Sequence, residues 1–247
     1  IRCRDDLKKM VFPDLESKKY FKPASEFVRK KEEFAALATT RLGFAATMLS
    51  VGMMKFFELL YEDKDFLLEV MNCYTQWLSR AMKIVSELGF DFVSASDDMA
   101  MKTGPMISPN MIEDFFLPPM QKTARSISIS WITHSDGNML PMIDIWLQLE
   151  QNGIHPIEPA AMDIRKVKEQ YGSRICIIGN VDVDLLSNGT PKEIEEIIRA
   201  LIHDIAPGGG YILSSGNSFP SYAKVENVLA MGEGLRKYGH YPIDIKE

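Results

Sequence analysis

The sequence has little cysteine. Cys3, Cys73 and Cys176 are the only three, far apart and odd in number. No CxxC or CxxxxC pair occurs, so a disulfide framework is not expected and a reducing cytoplasm is the natural setting. Positive charge is also in deficit. Lys and Arg total 28 against 34 Asp and Glu, a net charge of −6. That balance argues against nucleic acid as the main partner, since phosphate binding needs a basic face, and gives no reason to expect adhesion to an anionic membrane. Long apolar runs are missing too: the uncharged stretch Leu42 to Met54 is too short to span a bilayer and contains Thr, Ser and Gly. No basic, apolar, small-residue signal peptide opens the chain. The first residue is Ile1 rather than Met, which points to a natural N-terminus further upstream. There is no GxGxxG after a strand, no Walker loop, no HExxH and no GxSxG. Gly208-Gly209-Gly210 precedes a strand rather than a helix, so it reads as a flexible entry to that strand.

What remains is an ordinary globular composition, 46% hydrophobic and 25% charged, in 247 residues. That length can bury a large core. Short apolar runs alternate with amphipathic stretches. The runs predict strands at Phe34–Thr39, Phe90–Ala95, Ile129–Thr133, Ile154–Ile157, Ile175–Ile178 and Tyr211–Leu213. Helices are expected near 43–60, 64–88, 109–127, 139–152, 163–171, 191–205 and 222–238. Leu67, Val70, Tyr74, Trp77, Ala81, Val85 and Leu88 repeat at three- and four-residue steps and form one apolar stripe. Thr190-Pro191-Lys192-Glu193 is a capping box with Pro at the first helical position. Pro118-Pro119 must break or restart the helix opened by Ser108-Pro109. Strands separated by helices of this length pair in parallel through right-handed crossovers. Six strands fit either an open doubly wound sheet or part of a (βα)₈ barrel, and periodicity alone leaves both open.

Polar residues collect where these strands end: Thr39-Thr40-Arg41, Ser96-Asp97-Asp98, His134-Ser135-Asp136-Gly137-Asn138, His155 to Glu158, Gly179-Asn180-Val181-Asp182, and Ser214-Ser215-Gly216-Asn217. In α/β folds the loops at this edge build the active site. One of Asp97 and Asp98 is read as a cap of the following turn. Gly137-Asn138 is a good turn pair. Glu158, between Pro156 and Pro159, is placed in a pocket because a charge after a strand is seldom core. Asp97, His134, Asp136, Glu158, Asn180 and Asn217 are expected to converge on one cavity. Leu37, Phe92, Val93, Ile132, Ile177 and Ile212 are expected on the inner face of a parallel barrel.

The ordered motifs resemble the uroporphyrinogen decarboxylase superfamily over nearly the whole chain. They are Asp97-Asp98-Met99, Gly104-Pro105-Met106-Ile107-Ser108-Pro109, His134-Ser135-Asp136-Gly137-Asn138, Gly179-Asn180-Val181-Asp182, and Gly209-Gly210-Tyr211-Ile212 leading to Pro220 and Glu226-Asn227. The resemblance implies a single, incomplete (βα)₈ TIM barrel over residues 1–247, lacking its first two strands. Within the superfamily the chain is more similar to the corrinoid-dependent methyltransferases of O-demethylase type than to the decarboxylases. Leu42 to Thr47 stands where decarboxylases carry a GFAGAP-type stretch, and Gly216-Asn217-Ser218 where they carry Gly-His-Gly. The relatives that act on coenzyme M bind zinc through His-x-Cys and a later Cys. Here those places hold His134-x-Asp136 and Asn217, which excludes a thiolate site.

The resemblance therefore implies transfer of a methyl group from a small methyl ether or methylamine to a corrinoid on a partner protein. Uroporphyrinogen decarboxylation is the alternative, and a non-catalytic binding barrel a third reading. Asp97, His134 and Glu158 are the expected catalytic residues, and Asp98, Asn180, Asp182 and Asn217 the expected substrate contacts. His134, Asp136 and Glu158 form a mixed nitrogen and oxygen set that zinc accepts. The competing reading has His134 hydrogen-bonded to a carboxylate and acting as a general acid without metal.

Overall fold

The computed structural model describes residues 1–243. Eight strands occur among them: β1 Leu37–Thr40, β2 Phe92–Ser96, β3 Ala100–Met101, β4 Gly104–Pro105, β5 Trp131–His134, β6 Gly153–His155, β7 Cys176–Val181 and β8 Tyr211–Ser215. Six of them form one sheet in the order β1-β2-β5-β6-β7-β8, while β3 and β4 make a separate antiparallel hairpin. The pairs β1–β2, β2–β5, β6–β7 and β7–β8 are parallel. Helices follow each strand of the sheet. This is an α/β fold with the strand–helix repeat of a TIM barrel, of which the described residues supply six strands.

The chain divides into two compact units. The first comprises Ile1–Met99, Ile107–His134 and Met142–Gln151; the second comprises Ala100–Met106, Ser135–Pro141 and Asn152–Glu247. The first unit holds β1, β2 and β5. Its core includes an aromatic cluster in which Phe44 meets Phe56 and Phe116 edge-on, at centroid distances of 5.5 and 5.2 Å. Helix Lys64–Glu87 buries Leu67, Val70, Ala81 and Val85 as the stripe predicts, whereas Tyr74 and Trp77 are only half-buried and line a cleft with Phe12 and Tyr20. The second unit holds β6, β7, β8 and the hairpin. Its helix Pro191–Ile205 buries Ile194, Ile198, Leu201, Ile202 and Ile205. The expected capping box is formed: Glu193 N–H donates to Thr190 Oγ1 at 3.4 Å, and Thr190 N–H donates to Glu193 Oε2 at 2.8 Å.

Several expectations need correction. The helix expected over 43–60 is two, Phe44–Val51 and Met53–Glu62, bent by 103° at Gly52. Gly52 has φ +95°, a conformation outside the right-handed helix that glycine adopts without a Cβ clash. Helices Arg4–Leu7 and Lys18–Arg29 and the β3–β4 hairpin were not foreseen. The proposed inner face mixes two faces. Side chains alternate along a strand, so adjacent Phe92 and Val93 point oppositely; the register groups Leu37 with Phe92, and Ala38 with Val93. Likewise Ile177 pairs with Tyr211 while Ile212 pairs with Ile178, so Ile177 and Ile212 do not share a face. Pro118 and Pro119 fall in the first turn of helix Leu117–Ala124, which restarts after the π-helical turn Ile112–Phe116. Those positions need no N–H bond. All three cysteines are free. Among the described residues no single helix is long and apolar enough to cross a membrane.

Candidate active site

In the first unit, β2 ends in Ser96-Asp97-Asp98 and β5 ends in His134. The backbone carbonyl of His134 accepts from Asp97 N–H at 3.0 Å, so the two strands deliver these residues to one end of the sheet. Asp97 is 2% exposed. Its carboxylate accepts from the N–H of Ala45 at 2.5 Å and from the N–H of Leu42 through a very short bond. Helix Phe44–Val51 has glycine at its N-cap, with no side chain to satisfy its first amides. Asp97 supplies the acceptor from another strand. Burial pushes its carboxyl up to about 6, and the two backbone amides and nearby Arg41 restrain the rise.

Asp98 is half-exposed, and its Oδ1 stands 4.0 Å from His134 Nε2. Asp136 follows His134 two residues on in the chain. Asp98 and His134, both in the first unit, bring a carboxylate oxygen and an imidazole nitrogen together, donors that zinc or a similar divalent ion accepts. The signal was present in the Asp97-Asp98 pair: neighbouring residues leave a strand on opposite sides, so one turned inward to the amides and the other toward His134.

In the second unit, Gly137 N–H donates to Glu158 Oε2 at 2.7 Å, and Asn217 Nδ2 donates to Asp136 Oδ2 at 2.8 Å. Glu158 is therefore committed to the Gly137 turn. Gly137 itself has φ +86°, and a Cβ there would lie 2.7 Å from backbone atoms of Ala100 and Met101 in the hairpin. Asn138 N–H donates to Met101 O at 2.9 Å, fastening the same contact. A cavity of about 440 Å³ is lined by Glu158, Asp182 and Asn217, and by Lys102, Asp184 and Tyr222, which sequence reasoning missed; of the six residues expected to converge on one cavity, Glu158 and Asn217 line it and Asp97, His134, Asp136 and Asn180 do not. Lys102 Nζ stands 3.9 Å from Glu158 Oε1 and is largely exposed, so this pair is weak. Asp182 accepts from Asp184 N–H at 2.7 Å as the N-cap of helix Val183–Asn188. Asn180 lines a different cleft, together with Asp182. A cleft of about 990 Å³ in the first unit is aromatic and contains none of the expected site residues.

A family profile described as uroporphyrinogen decarboxylase (URO-D) matches residues 1–238. Among solved structures, a methyltransferase from Methanosarcina mazei is similar with a TM-score of 0.74 at 19% identity, over 86% of this chain and 61% of that one. A B12-independent methionine synthase from Shewanella sp. W3-18-1, solved in complex with selenomethionine, is similar with a TM-score of 0.59 at 13% identity, over 92% of this chain and 70% of that one. At these identities the likeness is one of fold. The chain spans 61% of the length of the Methanosarcina protein. No curated protein sequence matches.

Proposed function

The chain belongs to the uroporphyrinogen decarboxylase family, and from that premise we propose that it is a methyltransferase acting on a small methyl ether or methylamine, with a corrinoid on a partner protein as methyl acceptor. The observation that carries this reading is the placement of His134 beside Asp98 at the strand ends. Loss of a methyl group leaves an alkoxide, phenolate or amine, and that leaving group needs a proton or a cation. His134, whose Nε2 stands 4.0 Å from Asp98 Oδ1, is the proposed proton donor. Asp136, tied to Asn217, fixes the chain just past His134.

Asp98 and His134 would help to hold a zinc ion. If bound, zinc supplies Lewis acidity toward the leaving atom. The residues' own contributions are separate. Glu158, through Gly137 N–H, holds the turn that follows His134. Glu158, Asp182 and Asp184 against Lys102 make the 440 Å³ cavity acidic on balance, which suits a neutral ether or a methylammonium and disfavours a polycarboxylate such as uroporphyrinogen. Asn217 and Asp182 are the proposed substrate contacts there. Asp97 acts by capping Phe44–Val51 and so sets the position of Asp98. The three free thiols support a cytoplasmic setting.

The test is an assay with methyl ethers and methylamines, a cob(I)alamin-loaded corrinoid protein and His134→Ala as control. Methylation of the corrinoid that His134→Ala abolishes supports the reading. Absence of transfer from every donor overturns it.

A further inference from the structure

Of the strand ends that gather polar residues, Thr39-Thr40-Arg41 takes no part in the function proposed above. All three line the cleft of about 990 Å³ in the first unit. One wall is an ordered group of rings. Phe12 stacks on Trp77 at 5.8 Å between centroids and meets Tyr74 edge-on at 5.5 Å. Tyr20 meets Trp77 edge-on at 6.1 Å. Trp77 is itself fixed, its Nε1 donating to Pro13 O at 2.9 Å. Phe27 and Phe90 also line the cleft, their centroids 6.5 Å apart. Folding leaves part of this surface open: Tyr20 is 42% exposed and Phe27 48%. A contiguous exposed apolar surface marks a binding site.

The polar end of the cleft decides what the ligand carries. Arg41 Nη1 donates to Ser96 O at 3.1 Å, and Ser96 lines the same cleft, which places the guanidinium at that end. Among the described residues this is the one hydrogen bond that the Arg41 side chain makes. It leaves the Nε–Nη2 edge, two parallel N–H groups that match a carboxylate. Asp97 feels the charge of Arg41, but its carboxylate is taken by the amides of Leu42 and Ala45. Among the described residues Arg41 is the one charged residue in the lining. A single negative charge is therefore matched, and a polyanion is not.

We propose that this cleft binds an aromatic monocarboxylate, its rings against Tyr20, Tyr74 and Trp77 and its carboxylate on the free edge of Arg41. The volume lies at the upper end of the roughly 300–1,000 Å³ usual for small-molecule sites, so the cleft takes a fused ring system rather than a single ring. It shares no lining residue with the cavity at Glu158, and neither Asp98 nor His134 lines it. This site does not depend on the methyl-transfer reading.

The test titrates 2-naphthoate into isotope-labelled protein and follows the Trp77 indole N–H by NMR, with 2-naphthamide and acetate as controls. 2-Naphthoate is expected to shift that resonance saturably. 2-Naphthamide keeps the rings without the charge, and acetate the charge without the rings. Each is expected to bind at least about tenfold more weakly, for want of a charge-assisted bond or of ring burial. Arg41→Met is expected to weaken 2-naphthoate about tenfold or more and to leave 2-naphthamide unchanged, a split that a merely structural loss would not give. The comparison of 2-naphthoate with 2-naphthamide in the parent needs no variant, so it stays decisive if Arg41→Met fails to fold. The proposal is overturned if 2-naphthoate leaves the Trp77 N–H unshifted, if 2-naphthamide binds equally well, or if a folded Arg41→Met binds 2-naphthoate like the parent. It is overturned as well if size-exclusion chromatography finds a dimer that shuts 2-naphthoate out, which assigns the cleft to a second copy of the chain.

Discussion

Replacing Asp97 by Asn tests the capping role of this buried carboxylate through the pH dependence of stability. In the folded protein burial raises the Asp97 pKa from its usual 3.8 to about 6. At about 1.4 kcal/mol for each tenfold change in proton affinity, that difference is on the order of 3 kcal/mol. The sign follows from the direction. A carboxyl with a raised folded-state pKa binds more protons folded than unfolded between pH 4 and 6. Its contribution is fully present below about pH 4 and is lost as pH rises through about 6. Asp97→Asn has no such titration. It keeps one acceptor for Leu42 or Ala45 but turns an amide N–H₂ toward the other N–H. That mismatch costs roughly 1–3 kcal/mol at every pH. Urea unfolding of both proteins at pH 4, 5, 6 and 7, followed by circular dichroism, should therefore give a parent advantage that shrinks by about 3 kcal/mol from pH 4 to pH 7. A gap that stays flat would contradict the burial argument. A gap that widens with pH would mean that Asp97 behaves as a paired carboxylate with a low pKa, and the account of its surroundings would be wrong.

Other outcomes follow from local geometry. Gly137→Ala should lower stability by more than the ~1 kcal/mol of an ordinary left-handed alanine, because its Cβ would meet the hairpin backbone at 2.7 Å; thermal melting checks this, and an unchanged melting temperature refutes it. Thr190→Ala should cost about 1 kcal/mol in urea unfolding by removing the cap of helix Pro191–Ile205, whereas no change would show the box to be idle. Zinc titration monitored by elemental analysis should find one site that Asp98→Ala, His134→Ala and Asp136→Ala each weaken by at least about tenfold. Glu158→Ala should leave the affinity close to that of the parent, since Glu158 bonds to the Gly137 turn. Equal loss in all four variants would restore Glu158 as a ligand.

The parts of the fold that depend on neighbours in sequence were readable there. Apolar runs located all six strands of the sheet, and Thr190 to Glu193 announced its own cap. What escaped was set by partners far along the chain. The amides of Leu42 and Ala45 lie 55 and 52 residues from Asp97, so nothing local marked this residue as a cap for a distant helix. Helix Lys18–Arg29 carries Pro23 inside it, which masks the helical spacing of Tyr20, Phe21, Ala24, Phe27 and Val28. The hairpin strands are two residues each, too short for any alternation to register. His134 was legible as a candidate because polar residues collect at strand ends; that Asp98 stands beside it, and that Glu158 accepts from Gly137 N–H, depends on folded geometry that no local pattern marks.

The claim that this family member is a methyltransferase is tested most directly by its reaction. Purified protein would be mixed with a cob(I)alamin-loaded corrinoid protein and a panel of methyl ethers and methylamines, and the corrinoid absorbance followed for the change from cob(I) to methylcobalt; a parallel reaction with uroporphyrinogen would be followed for released carbon dioxide. The account predicts donor-dependent methylation that is lost in His134→Ala, and no carbon dioxide. Carbon dioxide release without methylation of the corrinoid would contradict it and make the chain a decarboxylase.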